Sequence, residues 1–489
     1  MSSISTKPIY LYNTLTRSKG LFQPLNPPRV GIYSCGPTVY KDVHVGNLRT
    51  FIMTDWIRRV LEYNGYDVLL VRNITDVGHL HLQNDTEESG EDKLEYEART
   101  TGRSAYEIAA HYTKQYMDDS AEMNILPPHI SPKATDHIPE MLSMTEVLIE
   151  KGLAYVSDGS VYYDVSRFPS YGELSGNTVE NLRTGASGRV LLEVEDDKDE
   201  PEDFALWKRG DTTRQMNWDS PWGIGFPGWH IECSAMATKY LGQQFDIHTG
   251  AVDLTFPHHE DEIAQSMGVS GVEPVRFWAH GEFLNFNYRN PNVGKDGEGT
   301  DEIIKMSRSK GNVVLLREIK ADGFDPMAFR YLLLTAHYRS KLNFSNESMV
   351  AAQNGLNNLR TDLAALPVES VDTESAEAQK AREAFHNAIN DDLDLPIALS
   401  ITREVARNNK IAPAERRRLL LDFDRVLGLR LDTVEATRPT VITGEAMALV
   451  RERDAARAAR DWKRSDQLRD QLIALGYEVR DTAKGTELV

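Results

Sequence analysis

The chain has 489 residues, of which 40% are hydrophobic and 26% charged, which fits roughly two to four domains and excludes a peptide-sized or fibrous protein. No stretch approaches the roughly 20 apolar residues that cross a bilayer, and the N-terminus has no apolar signal core, so we expect a cytoplasmic protein without membrane contact. The 74 acidic and 55 basic residues give a net charge of −19, so any nucleic-acid partner has to be bound by local basic surface.

The first predicted unit is strand, loop, helix, strand. Arg29 to Cys35 has the composition of a short buried strand, and after a loop the apolar residues from Leu48 to Val60 recur at the spacing of a helix. Asn64-Gly65 ends that helix, and Tyr66 to Ile74 predicts a second strand. This order is typical of parallel nucleotide-binding α/β folds, whose ligands lie where strands end and helices begin.

Between Asn124 and Trp207 the pattern predicts an insertion of short strands and turns. Its acidic run at 193–203 has the composition of a solvated loop. The elements that complete the sheet are then predicted as helices at 228–240 and 257–265 and strands at 245–248 and 275–284. We therefore assign 1–345 to one α/β domain with a connective insertion at about 124–207.

Beyond Ser345 the character changes to amphipathic helices without strand patterns, which predicts a helical bundle at 346–431. A linker at 432–444 contains proline and threonine, and a last helix at 445–475 precedes a short strand. The expected fold class is therefore α/β with a parallel sheet and an insertion, followed by an α-helical bundle and a small C-terminal α+β module at 445–489.

The first candidate site lies where the first strand ends and the helix begins, in the segments CGPTVY and HVGN. Gly46 lets the backbone approach a ligand, and the unpaired N–H groups of a helix start attract phosphate. His44 and Asn47 can add side-chain donors to the same oxygens. A plain capping loop is the alternative for these four letters.

The second candidate site combines Cys35 and Cys233 with His258 and Glu262. The two cysteines are 198 positions apart, which excludes a disulfide-stapled secreted scaffold. His258 and Glu262 are four apart on one predicted helical face, while His259 and Glu260 are expected to point elsewhere. Two thiolates, an imidazole and a carboxylate form a complete zinc set. For each member alone, two core cysteines and a surface His/Glu pair remain the alternative.

The third candidate site is the basic segment KMSRSKGN, predicted as a polar loop after the last strand. A loop with several cations can fold over a triphosphate and neutralise the departing pyrophosphate. A merely solvated basic loop is the alternative. The residues we assign to it are Lys305, Met306, Ser307, Arg308 and Ser309.

These segments together resemble the class I aminoacyl-tRNA synthetases, and within them the cysteinyl-tRNA synthetase family. CGPTVYKDVHVGNLRTF resembles the HIGH-type signature and KMSRS the KMSKS-type signature, with GWHIECSAM, FPHHEDEIAQS and DFALWK as further family blocks in the same order. NDDLDLPIAL and ARAARDWKRSDQLRDQL extend the resemblance into the helical and C-terminal regions. The resemblance implies a Rossmann-like catalytic domain, an anticodon-binding helical bundle and a monomeric enzyme.

The resemblance also implies the substrates, the cofactors and a role for each matched residue. L-cysteine, ATP and tRNA(Cys) are the implied substrates, with one Zn²⁺ per chain and Mg²⁺ accompanying ATP. The implied catalytic residues are His44, Asn47, Lys305 and Arg308. The implied zinc ligands are Cys35, Cys233, His258 and Glu262. The residues implied around cysteine are Thr75, Trp229, His248 and Asp253. ATP contacts are implied for His44, Gly46, Asn47 and the loop from Lys305 to Ser309. Anticodon contacts are implied for Arg457, Trp462, Asp466 and Asp481.

Three positions depart from the family pattern. Asn47 stands where the HIGH motif has its second histidine, and Arg308 replaces the second lysine of KMSKS, exchanging a point charge for a planar fork. Ala251 occupies a position where the family usually has glycine. The nearest alternative is the cysteine ligase of mycothiol synthesis, which acts on an amino-sugar acceptor and lacks the C-terminal module, and a more distant one is a non-catalytic zinc protein that binds RNA.

Overall fold

The structure is a computed structural model, and it describes residues 7–78, 92–177, 198–286, 304–305, 313–370, 374–435, 444–474, 479–482 and 485–488. Across these ranges no helix combines the length and the apolar character needed to cross a membrane.

The described elements are fifteen strands and fourteen α-helices. The strands are β1 Tyr10–Asn13, β2 Ser18–Leu21, β3 Arg29–Ser34, β4 Asp67–Arg72, β5 Ala154–Ser157, β6 Ser160–Tyr163, β7 Phe204–Arg209, β8 Gly225–Pro227, β9 Phe245–Ala251, β10 Val275–Gly281, β11 Leu284–Phe286, β12 Ile304–Lys305, β13 Leu342–Phe344, β14 Val479–Thr482 and β15 Gly485–Leu488. The helices are α1 Val45–Tyr63, α2 Lys93–Thr101, α3 Ala105–Glu122, α4 Ile138–Glu150, α5 Trp229–Leu241, α6 His258–Ser270, α7 Leu316–Ala321, α8 Pro326–Leu333, α9 Asn346–Ala364, α10 Ala376–Asn390, α11 Leu395–Arg407, α12 Pro413–Leu427, α13 Gly444–Ala458 and α14 Trp462–Ala474.

A four-stranded parallel sheet in the order β10-β9-β3-β4 forms the centre of the α/β part. Its two middle strands carry nearly continuous buried residues, as expected for strands covered on both faces. Helix α1 connects β3 to β4 and buries 13 of its 19 residues against this sheet and its neighbours. Cys35 follows β3, His248 lies in the middle of β9, and His280 is the last residue but one of β10. The sheet therefore collects these side chains at one edge.

The insertion contains an antiparallel sheet in the order β5-β6-β7-β8. The prediction of only short strands and turns between Asn124 and Trp207 was wrong, because α4 is a 13-residue helix in that interval. Pro139 lies in its first turn, where a missing N–H costs nothing. Of the acidic run, 193–197 lie outside the described residues.

Four helices, α9 to α12, form the predicted bundle after the α/β part. The single helix predicted at 445–475 was wrong, since the chain breaks between α13 and α14. Arg460 adopts a φ of 59°, which ends the first helix, and Asp461 accepts a hydrogen bond from the Arg464 N–H to start the second. The antiparallel pair β14 and β15 then completes a small C-terminal module.

The helical bundle contacts the α/β part through Arg330, whose side chain is fully buried. Its guanidinium donates to the carbonyl oxygens of Leu427 at 2.8 Å, Met123 at 3.1 Å and Asn124 at 3.1 Å, and to Asp55 Oδ2 at 2.5 Å. Asp55 belongs to α1 and Leu427 ends α12. One side chain thus links the helix that follows β3 to the end of the bundle.

Candidate active site

Four side chains from three separated segments meet at the carboxyl edge of the sheet. Cys35 follows β3, Cys233 lies in the second turn of α5, and His258 and Glu262 occupy one face of α6. One ligand atom from each lies within 4.8 Å of every other, and all four residues are buried. The structure therefore brings together the complete donor set that the sequence singled out.

The geometry of the two thiols fits a tetrahedral metal ion. Both cysteines are free, with their Sγ atoms 3.8 Å apart. Two sulfur ligands about 2.3 Å from a tetrahedral zinc ion are about 3.8 Å from each other. Glu262 Oε1 lies 3.6 Å from Cys35 Sγ and 3.1 Å from His258 Nε2. The donor types and their spacing both suit zinc.

The electrostatics of the cluster show how its charges balance without a metal. Burial opposes ionisation of Glu262, but His248 and His258 outweigh it and lower its pKa to about 2. Burial likewise disfavours the charged form of His258, yet Cys233 and Glu262 raise its pKa to about 10. Burial raises the pKa of Cys35, whereas a hydrogen bond from Cys35 lowers that of Cys233. A metal ion bound here would replace protons held by these groups.

His259 also faces the cluster, so the expectation that it points elsewhere was wrong. Its Nε2 lies 3.4 Å from Cys35 Sγ, and its Nδ1 lies 2.7 Å from His280 Nε2. Side chains in a first helical turn lean toward the helix N-terminus, so two neighbours can reach a site located there. Glu260 does point away, accepting a hydrogen bond from the Ser175 N–H.

This orientation creates a second possible donor set, formed by Cys35, His248, His259 and Glu262. It shares Cys35 and Glu262 with the first set but contains one thiol instead of two. Zinc binds either combination of nitrogen, sulfur and oxygen ligands, although the set with two thiolates is the softer.

The residues expected around the amino acid lie beside this cluster. His248 is buried, with Nε2 2.9 Å from Glu262 Oε2, and its ring stacks on Trp278 at 4.7 Å. The Trp229 ring lies 4.5 Å from that of His258 and is 37% exposed. Thr75 is buried beyond β4, and Asp253 is half-buried in the turn after β9.

Sequence reasoning missed the polar side chains that support this pocket. The Thr75 hydroxyl donates to Glu232 Oε2 at 2.9 Å and accepts from Asn73 Nδ2 at 3.1 Å, and Asn73 Oδ1 accepts the Gly36 N–H at 2.8 Å. These bonds join the residues next to both cysteines. Burial raises the pKa of Glu232 well above its ordinary value.

Two further histidines of the cluster were also missed. His230 Nδ1 lies 2.8 Å from His258 Nδ1, and His280 Nδ1 lies 2.7 Å from the Thr14 hydroxyl. Desolvation and the neighbouring His248 lower the pKa of His280 to about 3, so its ring is neutral. His280 lies within the strand predicted at 275–284, and ligand-binding groups collect at the carboxyl ends of such parallel strands, so the strand pattern could have indicated it.

The start of α1 is built by a reciprocal pair of hydrogen bonds. His44 Nδ1 accepts the Asn47 N–H at 3.3 Å, and Asn47 Oδ1 accepts the His44 N–H at 3.2 Å. Because Nδ1 accepts, the proton of the neutral ring is on Nε2, and the NH₂ remains the donor end of the Asn47 amide. The Asn47 side chain therefore caps the helix through its oxygen, and its NH₂ group can still donate to a ligand. Gly46 occupies the second helical position between them.

Of the two other positions that depart from the family pattern, Ala251 and Arg308, the structure describes Ala251. Ala251 has φ −77° and ψ 156°, an extended conformation that any residue adopts, so alanine adds no backbone strain there. Lys305 is described as the last residue of β12, which pairs with β11. Met306, Ser307, Arg308 and Ser309 lie outside the described residues.

The four residues expected at the anticodon all belong to the C-terminal module. Trp462 begins α14 and is 58% exposed, and Asp466 is exposed one turn later on the same face. More than half of the Trp462 side chain is thus open to solvent. Asp481 accepts hydrogen bonds from buried Arg453 at 2.7 Å and lies 3.0 Å from Arg457 Nη1. The structure pairs these two predicted residues with each other.

Two family models match the chain. Residues 21–354 match the model described as tRNA synthetases class I (C) catalytic domain. Residues 441–487 match the model described as cysteinyl-tRNA ligase anticodon binding domain. The matches cover the site described above and the C-terminal module, respectively.

Curated relatives match along nearly the whole chain. Cysteine–tRNA ligase 1 of Burkholderia lata is 44% identical over 98% of this chain and 97% of its own. The cysteine–tRNA ligases of Thermus thermophilus and Porphyromonas gingivalis are 40% and 39% identical, each over 98% of this chain and 98% and 99% of their own.

A solved structure shares the fold at low sequence identity. Mycobacterium tuberculosis methionyl-tRNA synthetase bound by methionyl-adenylate superposes with a TM-score of 0.53 and 14% identity, over 82% of this chain and 90% of that one. The predicted fold class, a parallel α/β sheet followed by a helical part, is confirmed.

Proposed function

Because this chain belongs to the cysteine–tRNA ligase family of class I aminoacyl-tRNA synthetases, we propose that it joins L-cysteine to tRNA(Cys) in two steps at the cluster described above. The reaction is the ligation of cysteine to tRNA. The observation that carries this conclusion is the near-complete match to cysteine–tRNA ligases, which includes both the catalytic and the anticodon-binding regions.

The amino-sugar ligase of mycothiol synthesis is not favoured. We expected that enzyme to lack the C-terminal module at 445–489, and residues 441–487 of this chain match an anticodon-binding domain. The exposed Trp462 on α14 also suits an RNA partner, since bases stack on aromatic rings.

In the first step, the carboxylate of cysteine attacks the α-phosphate of ATP, forming cysteinyl-adenylate and releasing pyrophosphate. The Nε2–H of His44 and the amide of Asn47 donate to phosphate oxygens at the start of α1, where the helix also favours negative charge. Lys305 and Arg308 neutralise the departing pyrophosphate, and Mg²⁺ bound with ATP would add further positive charge. In the second step, the terminal ribose hydroxyl of the tRNA attacks the carbonyl carbon of cysteinyl-adenylate, which forms the ester, breaks the acyl–phosphate bond and releases AMP.

Selection of cysteine over serine is the demanding part of this function, because a cavity alone separates near-isosteres by only ~1 to 3 kcal/mol. We assign Cys35, Cys233, His258 and Glu262 as zinc ligands, and zinc would accept the substrate sulfur far better than a serine hydroxyl. The His248 Nδ1 atom is buried and has no hydrogen-bond partner among the described residues. Such an orphaned polar atom fits a pocket that receives a polar substrate.

Cysteine-dependent exchange of pyrophosphate into ATP, together with charging of tRNA(Cys), tests this function. We expect both activities from the purified chain, with serine a poor substitute in the exchange. Ligation of cysteine to an amino-sugar inositol without tRNA charging would favour the mycothiol alternative. A chain that binds zinc and RNA but exchanges no pyrophosphate would favour a non-catalytic role.

Trp462→Ala is expected to lower the efficiency of tRNA charging by about 5- to 150-fold, since a base stacked on an aromatic ring contributes about 1 to 3 kcal/mol. Cysteine-dependent pyrophosphate exchange should stay unchanged, because the C-terminal module has no part in adenylate formation. Ile473→Ala is the matched control, since Ile473 is a 52% exposed apolar residue of the same helix. If the two variants charge tRNA with equal efficiency, Trp462 does not contribute to tRNA binding.

A further inference from the structure

The turn between α10 and α11, which contains the segment NDDLDLP, has an unusual backbone. Asp392 and Leu393 have φ angles of 58° and 55°, and both side chains are buried. Two successive residues other than glycine are disfavoured in this left-handed region. The surrounding contacts must therefore hold the turn in place.

The Asp392 carboxylate supplies most of those contacts. Its Oδ1 accepts the Tyr12 N–H at 2.8 Å and the Tyr338 hydroxyl at 2.7 Å. Its Oδ2 accepts Nε and Nη2 of Arg339 at 2.9 and 2.6 Å. These donors lie on β1 and on the segment between α8 and β13, whereas Asp392 belongs to the bundle. One carboxylate therefore joins three separate parts of the chain.

The backbone of the same turn adds further bonds to the α/β part. The Asp392 N–H donates to the Tyr10 carbonyl oxygen at 2.8 Å, and its own carbonyl oxygen accepts His337 Nε2 at 2.9 Å. Two residues earlier, the amides of Asn390 and Asn64 bond each other, and Asn64 ends α1. The start of α11 is thus fixed to the α/β part at several points that surround Asp392.

The segment that receives Asp392 is held to the active site independently of it. Arg49 of α1 donates to the carbonyl oxygens of Ser340, at 2.5 Å, and Phe283. The Glu282 N–H donates to the Tyr338 carbonyl oxygen at 2.9 Å, and β13 pairs with β11. Loss of the Asp392 carboxylate consequently leaves this side of the contact in place.

The bundle has a second attachment at its other end, where Arg330 and the Trp56 Nε1–H donate to the Leu427 carbonyl oxygen at 2.8 and 3.2 Å. Tyr63 and Arg59 of α1 bond Asp422 and the Arg425 carbonyl oxygen near that same end. The contacts around Asp392 therefore fix the bundle at the opposite end from this group. We infer that Asp392 is a positioning residue for tRNA, holding the bundle that leads to the anticodon module at a fixed angle to the active site.

This inference rests on the proposed charging of tRNA. It predicts that Asp392 affects the tRNA-dependent step but not the formation of cysteinyl-adenylate. Cysteine and ATP react within the α/β part, where Arg49 bonds the carbonyl oxygens of Phe283 and Ser340 without contact to Asp392. A tRNA has to reach both the C-terminal module and the active site. If the bundle pivots, only a fraction of molecules can bind tRNA productively, and the apparent dissociation constant rises in inverse proportion to that fraction.

Steady-state kinetics of Asp392→Asn test the inference. We expect the KM for tRNA to rise by at least about tenfold, which corresponds to a productive fraction of about one tenth or less. The kcat at saturating tRNA and the cysteine-dependent pyrophosphate exchange should stay within about twofold of the parent protein. Tyr338→Phe removes a single hydrogen bond and should raise the same KM by a smaller factor, so the test holds even if Asp392→Asn folds poorly.

Tyr155→Phe is the matched control, because the Tyr155 hydroxyl donates to the buried Asp203 carboxylate at 2.8 Å within the insertion. It should leave the KM for tRNA unchanged. The positioning role is overturned if the KM for tRNA is unchanged in both Asp392→Asn and Tyr338→Phe. It is also overturned if the rates of pyrophosphate exchange and tRNA charging fall by the same factor. Absence of exchange in the parent protein would instead contradict the proposed function.

Discussion

Cys233→Ser is expected to lower the zinc content from one ion per chain to nearly none and to slow cysteine-dependent pyrophosphate exchange by more than about 100-fold. A serine hydroxyl stays protonated at neutral pH and is a poor partner for zinc, so the buried set loses one of its two soft ligands. Even groups that only support metal ligands change affinity or activity by about 10- to 100-fold. Metal analysis and exchange assays on the same preparation measure both effects.

The same experiment decides between the two donor sets. His259→Gln should keep its zinc, because His259 belongs only to the set with one thiol. If His259→Gln loses its zinc and Cys233→Ser retains it, the zinc ligands are instead Cys35, His248, His259 and Glu262. Unchanged preference for cysteine over serine in a zinc-free protein would rule out the metal as the selecting group.

Arg330→Met is expected to lower the free energy of unfolding by about 3 to 5 kcal/mol, the range for removing one partner of a buried ion pair. Although burial opposes ionisation of Asp55, Arg330 and Arg59 keep its pKa below the ordinary value. Without Arg330, this carboxylate keeps one charged donor, Arg59 at 2.7 Å, and the Leu126 N–H at 2.9 Å. The Leu427 and Met123 carbonyl oxygens also lose a buried donor. The midpoint of urea-induced unfolding measures the change.

An exposed ion pair gives the control for this prediction. Arg209 Nη1 lies 2.5 Å from Asp158 Oδ2, with the two side chains 58% and 66% exposed. Arg209→Met should change stability by less than about 1 kcal/mol, because solvent screens such a pair. If the free energy of unfolding falls equally in Arg330→Met and Arg209→Met, the ion pair of Arg330 does not hold the bundle to α1.

Local patterns in the sequence were sufficient for the central α/β unit. The strand ending at Ser34, the helix from Val45 and the strand from Asp67 follow from apolar spacing and from the Asn64-Gly65 ending. Periodicity failed where a helix carries a misleading residue, as with Pro139 in α4, or where a break depends on one backbone conformation, as at Arg460.

The inward orientation of His259 could not be predicted from helical spacing. Spacing gives the angle between neighbouring side chains but not the position of the site relative to the helix. The site lies over the first turn of α6, next to Cys35 after β3 and His280 on β10, so side chains on two faces of the helix reach it. Likewise, the pairing of Asp481 with Arg453 and Arg457 joins residues 24 to 28 positions apart and depends on how β14 packs on α13.

The sequence by itself determined the chemical types of the donor set, the elements that carry them and the family, because residue identity and near-neighbour spacing are local properties. Only the tertiary structure decided that His259 joins the cluster, that Asn73 and Glu232 support Thr75, and that Asp392 fastens the bundle to the α/β part. These contacts join residues up to 382 positions apart. Their formation depends on how separately formed sheets and helices bury their surfaces together, which near-neighbour spacing does not specify.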